Sequence, residues 1–288
     1  MKHLHCLYNS KSDSLHLDER LHEIEDVCRV AGIECTFYDQ ASVDFSSLPR
    51  LTNQDALYNC ARGSRLLECA MINEEVLTLY RSFPGTSVYR DPNQLNIILE
   101  KRGISTPKTI HCGSNNPALL HKYSDLLGFP MVLKTFGGSG GVGTMIVDSY
   151  QSLKSLSDYL AAQNTEFLLK EFIPSDGVFR VTAINGEVVT YFKKTLEPKT
   201  DFRTDAMHGE IALHQNMRED ITQLSIDAIY HANLYMAGVD VIVDARTNKP
   251  YVLEVNLPAN FYKEAQYSGR SVYSKMLQFF QNHPSLNE

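Results

Sequence analysis

The sequence predicts a mixed chain, α/β at its start and α+β afterwards, folded as two or three small lobes. Three observations lead there. The chain opens β-α-β, its later part alternates hairpin patterns with amphipathic helices, and its 288 residues reach the length at which one hydrophobic core stops growing. A hydrophobic fraction of 43% with 21% charged residues is ordinary for a folded soluble protein. A formal net charge of −7, with no block of Lys or Arg, excludes a general nucleic-acid binder. No apolar run approaches the ~18 residues of a spanning helix, and the start MKHLHCLYNSKSD has no apolar signal core. The expectation is therefore a cytoplasmic chain with no membrane partner. Cys6, Cys28, Cys35, Cys60, Cys69 and Cys112 form no CxxC pair and no His/Cys metal spacing, which fits free thiols in a reducing compartment.

In chain order, residues 3–8 form a short apolar strand. Ser12 or Asp13 then caps a helix carrying Leu17, Leu21, Ile24, Val27 and Cys28 at helical spacing, closed by Gly32. Strands follow at 33–38 and 55–58, and a helix at 64–80. The Arg62-Gly63-Ser64 entry to that helix reads as a plain N-cap, or as an anion site at a helix N-terminus. A second unit begins near Tyr89, with helices at 94–101, before Gly103, and at 118–127, before Gly128 and Pro130. Strands at 131–135 and 143–147 flank a glycine loop; a helix at 151–163 and an apolar strand at 167–173 come next. Asn185-Gly186 joins strands 179–184 and 187–193 in a type I′ hairpin that delivers Arg180, Lys193 and Lys194. The stretch 195–210, with Arg203 and His208, is long enough to be functional. Helices at 218–236 and 271–282 bracket a last hairpin.

That hairpin, GVDVIVDARTNKPYVLEVN, spans Gly238 to Asn256. Strict alternation puts Val239, Val241, Val243, Leu253 and Val255 on one face. Asp240, Ile242, Asp244, Val252, Glu254 and Asn256 fall on the other. Asp240, Glu254 and Asn256 converge if the register sets Asp240 across from Glu254 or Asn256. Two carboxylates and an amide oxygen then suit Mg²⁺. The plainer alternative is a half-exposed hairpin with a polar outer face. The loop Gly137-Gly138-Ser139-Gly140-Gly141-Val142-Gly143 offers backbone N–H groups to phosphate oxygens. It is followed by a strand, unlike a Rossmann turn, and lacks the GK[ST] ending of a Walker A loop. Lys134, inside the apolar run Met131-Val132-Leu133-Lys134-Thr135, can point a cation at those phosphates, since an unpartnered lysine there would be costly. The strand end at Phe172 and Ile173 can meet an adenine edge and its faces, or can simply be core.

MVLKTFGGSGGVG, LLKEFI, FRVTAINGEVV, DFRTDAMHGE and GVDVIVDARTNKPYVLEVN together resemble the ATP-grasp superfamily, most closely its RimK-like carboxylate–amine ligases, over roughly residues 55 to 282. The resemblance implies an N-terminal Rossmann-like lobe at 1–88, a central lobe with the flap at 89–172 and a C-terminal lobe with the metal site at 173–288, ATP lying between the last two. It implies nucleotide contacts at Lys134, Gly137, Gly138, Ser139, Gly140, Gly141, Val142, Glu171, Phe172, Ile173 and Asp176. Asp240, Glu254 and Asn256 would ligate Mg²⁺, two ions with Glu254 between them and Mn²⁺ as a substitute. Arg180, Arg203, Lys193 and Lys194 would act on the transferred phosphate or a substrate carboxylate. Three departures are visible: Pro92 near the family's usual lysine, Leu257-Pro258-Ala259-Asn260 in place of S-P-G after EVN, and Arg203-Thr204-Asp205-Ala206-Met207-His208-Gly209-Glu210 in place of RSNLHRGG. The implied reaction joins a carboxylate to an amine through an acyl phosphate, with amino acids or peptides as substrates and no nucleic acid or membrane partner. The rival readings are a phosphotransferase of the same fold and a non-catalytic nucleotide-binding module; a protein kinase is excluded by the missing HRD and DFG elements. A homo-oligomer is left open by the sequence.

Overall fold

The computed structural model describes residues 1–12, 16–60, 62–83, 92–136, 141–195, 211–213, 217–259 and 261–283. Strands β1 (His3–Tyr8), β2 (Glu34–Asp39) and β3 (Asp55–Asn59) form a parallel sheet in the order β2-β1-β3, with helix α1 (Leu17–Ala31) as the crossover. Gly32 closes α1 in the left-handed region at φ 67°, as expected. The N-terminal cap is His16 rather than Ser12, and Asp13 lies outside the described residues. Ser12 is committed elsewhere: its N–H donates to the Asn9 carbonyl, and it packs so tightly on Gly63 that a Cβ there would sit 1.6 Å from its Oγ.

The helix expected at 64–80 is only α2 (Arg65–Met71). Asn73 Oδ1 accepts the N–H groups of Glu75 and Val76, a local turn that competes with helix continuation. Leu77 then bridges β3 in parallel, through Leu57 N–H to its carbonyl and its own N–H to Asp55. The Ser64 hydroxyl donates to Asn59 Oδ1 at 2.6 Å instead of capping α2.

Helix α3 (Pro92–Lys101) precedes β4 (Thr109–Ile110), α4 (Pro117–Leu127), β5 (Met131–Thr135), β6 (Thr144–Val147), α5 (Tyr150–Ala162) and β7 (Phe167–Glu171). The four strands form an antiparallel sheet in the order β4-β7-β5-β6. Asn116 and Ser149 cap α4 and α5 through their side chains. Leu120, Leu153 and Leu160 from these helices pack on Met131, Leu133, Val147, Phe167 and Leu169. Period two therefore leaves Val132, Lys134, Leu168 and Lys170 on the face away from the helices.

The remaining strands, β8 (Gly177–Ile184), β9 (Glu187–Thr195), β10 (Ile211–Leu213), β11 (Met236–Val243) and β12 (Pro250–Asn256), form a second antiparallel sheet, β10-β9-β8-β11-β12. Asn185 and Gly186 take φ 47° and 85°, the two positive values of a type I′ turn. Helix α6 (Glu219–His231) covers one face, packing Ile221, Ala228 and Ile229 on Phe179, Val181, Val239 and Val241. It stops short of the expected Met236 because Asn233 turns left-handed at φ 60°, its amide donating to Ser82, and Leu234 bridges Tyr80. Helices α7 (Phe261–Ser268) and α8 (Val272–Gln281) return to the first sheet, where Phe261, Tyr273, Met276 and Phe280 share a core with Leu4, Cys6 and Tyr58. Among the described residues no helix is long and apolar enough to cross a membrane.

Candidate active site between the two antiparallel sheets

Strand β11 pairs Asp240 with Glu254 and Gly238 with Asn256, the register on which convergence of the three oxygen-bearing side chains depends. Asn256 Nδ2 donates to Asp240 Oδ2 at 3.2 Å. Between Asp240 and Val241 the register shifts, leaving Leu253 as an extra residue in β12. Strict alternation is broken there, and two expectations are corrected. Val252 is fully buried in the core under α6, whereas Leu253 joins Ile173, Val178, Ile242 and Tyr251 in a small apolar cluster. One bulge thus brings an apolar side chain to the face that carries the carboxylates.

Arg180 on β8 lies directly across from Asp240. Its guanidinium donates to Asp240 Oδ1 at 3.1 Å and to Glu264 Oε1 at 2.8 Å. Glu264, on α7, also accepts the Thr182 and Thr190 hydroxyls at 2.5 and 3.0 Å. Gly238 makes room for this arrangement, since a Cβ there would lie 2.6 Å from the guanidinium carbon. Burial disfavours the charged form of Arg180, but the carboxylates of Asp240 and Glu264 outweigh it and raise its pKa above the ordinary arginine value. Arg180 is therefore a buried brace that fixes Asp240, not an open anion receptor. Truncating Glu264 to Ala removes a carboxylate that is 3% exposed and leaves Arg180 half-compensated, so the expected cost is about 3–5 kcal/mol of stability, read from urea unfolding midpoints.

On the facing sheet, Lys134 pairs with Leu168, and Val132 with Lys170. The two lysines occupy the same face of neighbouring strands. Neither ammonium has a hydrogen-bond or ion-pair partner among the described residues. Burial lowers the pKa of Lys170, the charge of Lys134 lowers it further, and Glu254 from the other sheet pulls it back, leaving it at about 8. Lys170 was not among the expected site residues. Its charge is felt by Lys134 on the same face and by Glu254 on the other sheet.

The two sheets are joined through residues 172–176, which follow the end of β7. Here Glu171 N–H donates to the Lys108 carbonyl at 2.9 Å while its Oε1 accepts Lys108 N–H at 3.0 Å, and Pro174 accepts Ala245 N–H from the β11–β12 hairpin. Phe172 is half-buried, and Ile173 reaches the apolar cluster with Leu253. Asp176 is exposed and bonds Lys193 Nζ at 2.6 Å. Alternation separates the two lysines of β9: Lys193 pairs with Phe179, on the face under α6, whereas Lys194 pairs with Val178 on the face of Arg180. Gly141 and Val142 lie in the turn before β6. Gly137, Gly138, Ser139, Gly140 and Arg203 lie outside the described residues, as does most of the 195–210 stretch.

One antiparallel sheet carries paired lysines and the other paired carboxylates, groups suited to phosphate and to a hard divalent cation. A family model described as the RimK-like ATP-grasp domain matches residues 90–280. A probable alpha-L-glutamate ligase of Aeromonas salmonicida (strain A449) is 25% identical over 287 residues, covering 96% of this chain and 85% of that protein. The ribosomal protein bS6–L-glutamate ligase of Salmonella paratyphi B (strain ATCC BAA-1250 / SPB7) is 26% identical over 242 residues, covering 82% and 76%. The ATP-grasp ligase PsnB complexed with minimal precursor shares the fold, with a TM-score of 0.72 at 14% identity over 98% of this chain and 99% of that one; another structure of PsnB contains Mg and ADP. The chain belongs to the RimK-like ATP-grasp family. It is an ATP-dependent carboxylate–amine ligase, a class of enzyme that uses ATP and Mg²⁺.

Proposed function

We propose that the chain joins the carboxylate of an amino acid or peptide to the amine of an amino acid, with ATP as the energy source. The observation that carries this reading is Asp240 paired with Glu254 on one sheet and Lys134 beside Lys170 on the other, with Lys170 near enough to Glu254 to feel its charge. The names of the relatives, which are glutamate ligases, support the substrate class.

The donor set fits Mg²⁺: Asp240, Glu254 and Asn256 supply oxygen only, and Arg180 holds Asp240 in place. Two ions sharing Glu254 would suit a triphosphate, with Mn²⁺ as a substitute. When bound, Mg²⁺ neutralises charge that spreads over the phosphoryl oxygens. Lys134 and Lys170 hold the phosphates in register, Ile173, Ile242 and Leu253 receive the purine face, and the backbone near Glu171 and Phe172 meets its edge. The substrate carboxylate oxygen attacks the γ-phosphorus, the bond to the bridging oxygen breaks, and ADP leaves. The amine then attacks the acyl carbon of the acyl phosphate and loses a proton as inorganic phosphate departs. Acyl phosphates hydrolyse, so water must be kept out, a task for the loop between β5 and β6 and for the 195–210 stretch. Six free cysteines fit action in the cytoplasm, a reducing compartment.

The test is phosphate release from ATP across pairwise mixtures of amino acids and short peptides. A ligase releases phosphate only when carboxylate and amine are both present. ADP formation with a phosphorylated hydroxyl and no free phosphate would instead identify a phosphotransferase.

A further inference from the structure

Strand β1 places His3 and His5 at alternate positions, so both rings leave the same face of the parallel sheet, stacked with centroids 4.0 Å apart. Glu34 and Asp55 stand beside His3 in register on either side, and Thr36 beside His5. One polar atom of each group is already engaged. His3 Nε2 lies 2.8 Å from Thr36 Oγ1, and His5 Nδ1 lies 3.0 Å from the Tyr38 hydroxyl. Asp55 Oδ2 accepts the backbone N–H and the hydroxyl of Thr52 at 2.7 and 2.8 Å. The remaining atoms turn toward one another: His5 Nε2 is 3.7 Å from Asp55 Oδ1, and His3 Nδ1 is 3.9 Å from Glu34 Oε2. One ligating atom from each of His3, His5 and Asp55 lies within 4.8 Å of the other two.

We propose that His3, His5 and Asp55 form a zinc site, with Glu34 or a water molecule as the fourth ligand. Two imidazoles with a carboxylate are zinc donors, whereas Mg²⁺ and Ca²⁺ take oxygen. Ligands at about 2.0 Å in a tetrahedron lie roughly 3.3 Å apart, so the His5–Asp55 gap of 3.7 Å closes with a shift of a few tenths of an ångström, while the triad as a whole, whose atoms lie within 4.8 Å of one another, closes by rotation of the stacked His3 and His5 rings. Thr36, Tyr38 and Thr52 hold the far side of each ligand, which fixes its orientation. The site lies where β1 and β3 begin, at the opposite end of these strands from the loops after Tyr8 and Asn59. It would tie strands that are far apart in the chain, a structural role separate from Asp240 and Glu254. His3 and His5 are two residues apart, but Asp55 is 50 further on, so the cluster has no local sequence signature.

Metal-free full-length protein, in a large excess of Mg²⁺ that occupies the hard-oxygen site, is titrated with Co²⁺. The expected result is one equivalent bound with the intense visible bands of tetrahedral Co²⁺, displaced one for one by Zn²⁺. His3→Gln should abolish the bands, and Thr36→Val should weaken Co²⁺ binding by about 10- to 100-fold while circular dichroism stays unchanged. Glu254→Gln should retain them in full. Absence of tetrahedral bands in the unaltered protein overturns the proposal. So do bands that survive His3→Gln, bands that vanish with Glu254→Gln, or, if His3→Gln does not fold, unchanged binding in Thr36→Val.

Discussion

Glu254→Gln is expected to lower turnover by at least about 10²–10³-fold, the loss seen when one preorganised electrostatic contact to a transition state is removed. The side chain keeps its shape and its place opposite Asp240, so the fold and the melting temperature should change little. What is lost is one negative charge at the point where the two sheets face each other. Asp240→Asn also removes charge from this site but leaves buried Arg180 compensated by Glu264 alone, so it is expected to lose stability as well as turnover. ADP release under saturating substrates checks both variants. Unchanged release in Glu254→Gln would refute the metal assignment.

The second large effect concerns Lys170. Below about pH 8 this lysine is an ammonium, and above it the free protein loses that charge, because burial and Lys134 hold its pKa down. In the free protein the sign is destabilising: the ammonium is disfavoured below pH 8, and stability rises as pH climbs through 8 toward the ordinary lysine value. A bound triphosphate reverses the preference by giving both lysines a counter-charge. ATP binding is therefore expected to take up a proton near pH 8–9, and ATP affinity to fall about tenfold per unit of pH between 8 and 10. Lys170→Met should weaken ATP binding by about 10- to 100-fold at pH 7, in line with a lost hydrogen bond to a charged group, and should flatten the pH dependence. Calorimetry in two buffers of different ionisation enthalpy measures both. Equal proton uptake by the two proteins would exclude Lys170 from the phosphate site.

Much of this site could be read from residue order because its components are local. Asp240 and Glu254 sit on the two strands of one hairpin, and Asn185-Gly186 declares its turn type by chemistry alone. Lys134 stands out because an apolar run surrounds it. Lys170 has a similar setting in LLKEFI, but its importance depends on antiparallel pairing of β7 with β5, which sets it beside Lys134. The partner that commits Arg180 is Glu264, 84 residues away on a helix the sequence did not predict. Helix ends failed where a side chain competes with the backbone, as Asn73 does after α2 and Asn233 after α6. Lys193 and Lys194 look equivalent in sequence, yet period two sends them to opposite faces of one sheet.

The surplus residue at Leu253 means that β12 reads in two phases. Tolerance to polar replacement should follow one alternating rhythm from 250 to 252 and the opposite rhythm from 254 to 256, with the slip at 253. Deleting Leu253 would restore an unbroken rhythm with Val252 still across from Val241 and Glu254 still across from Asp240, and would remove an apolar side chain from the cluster of Ile173, Val178 and Ile242. The surplus residue is thus kept by the apolar cluster it joins, and neither the carboxylate pairing nor the core packing requires it.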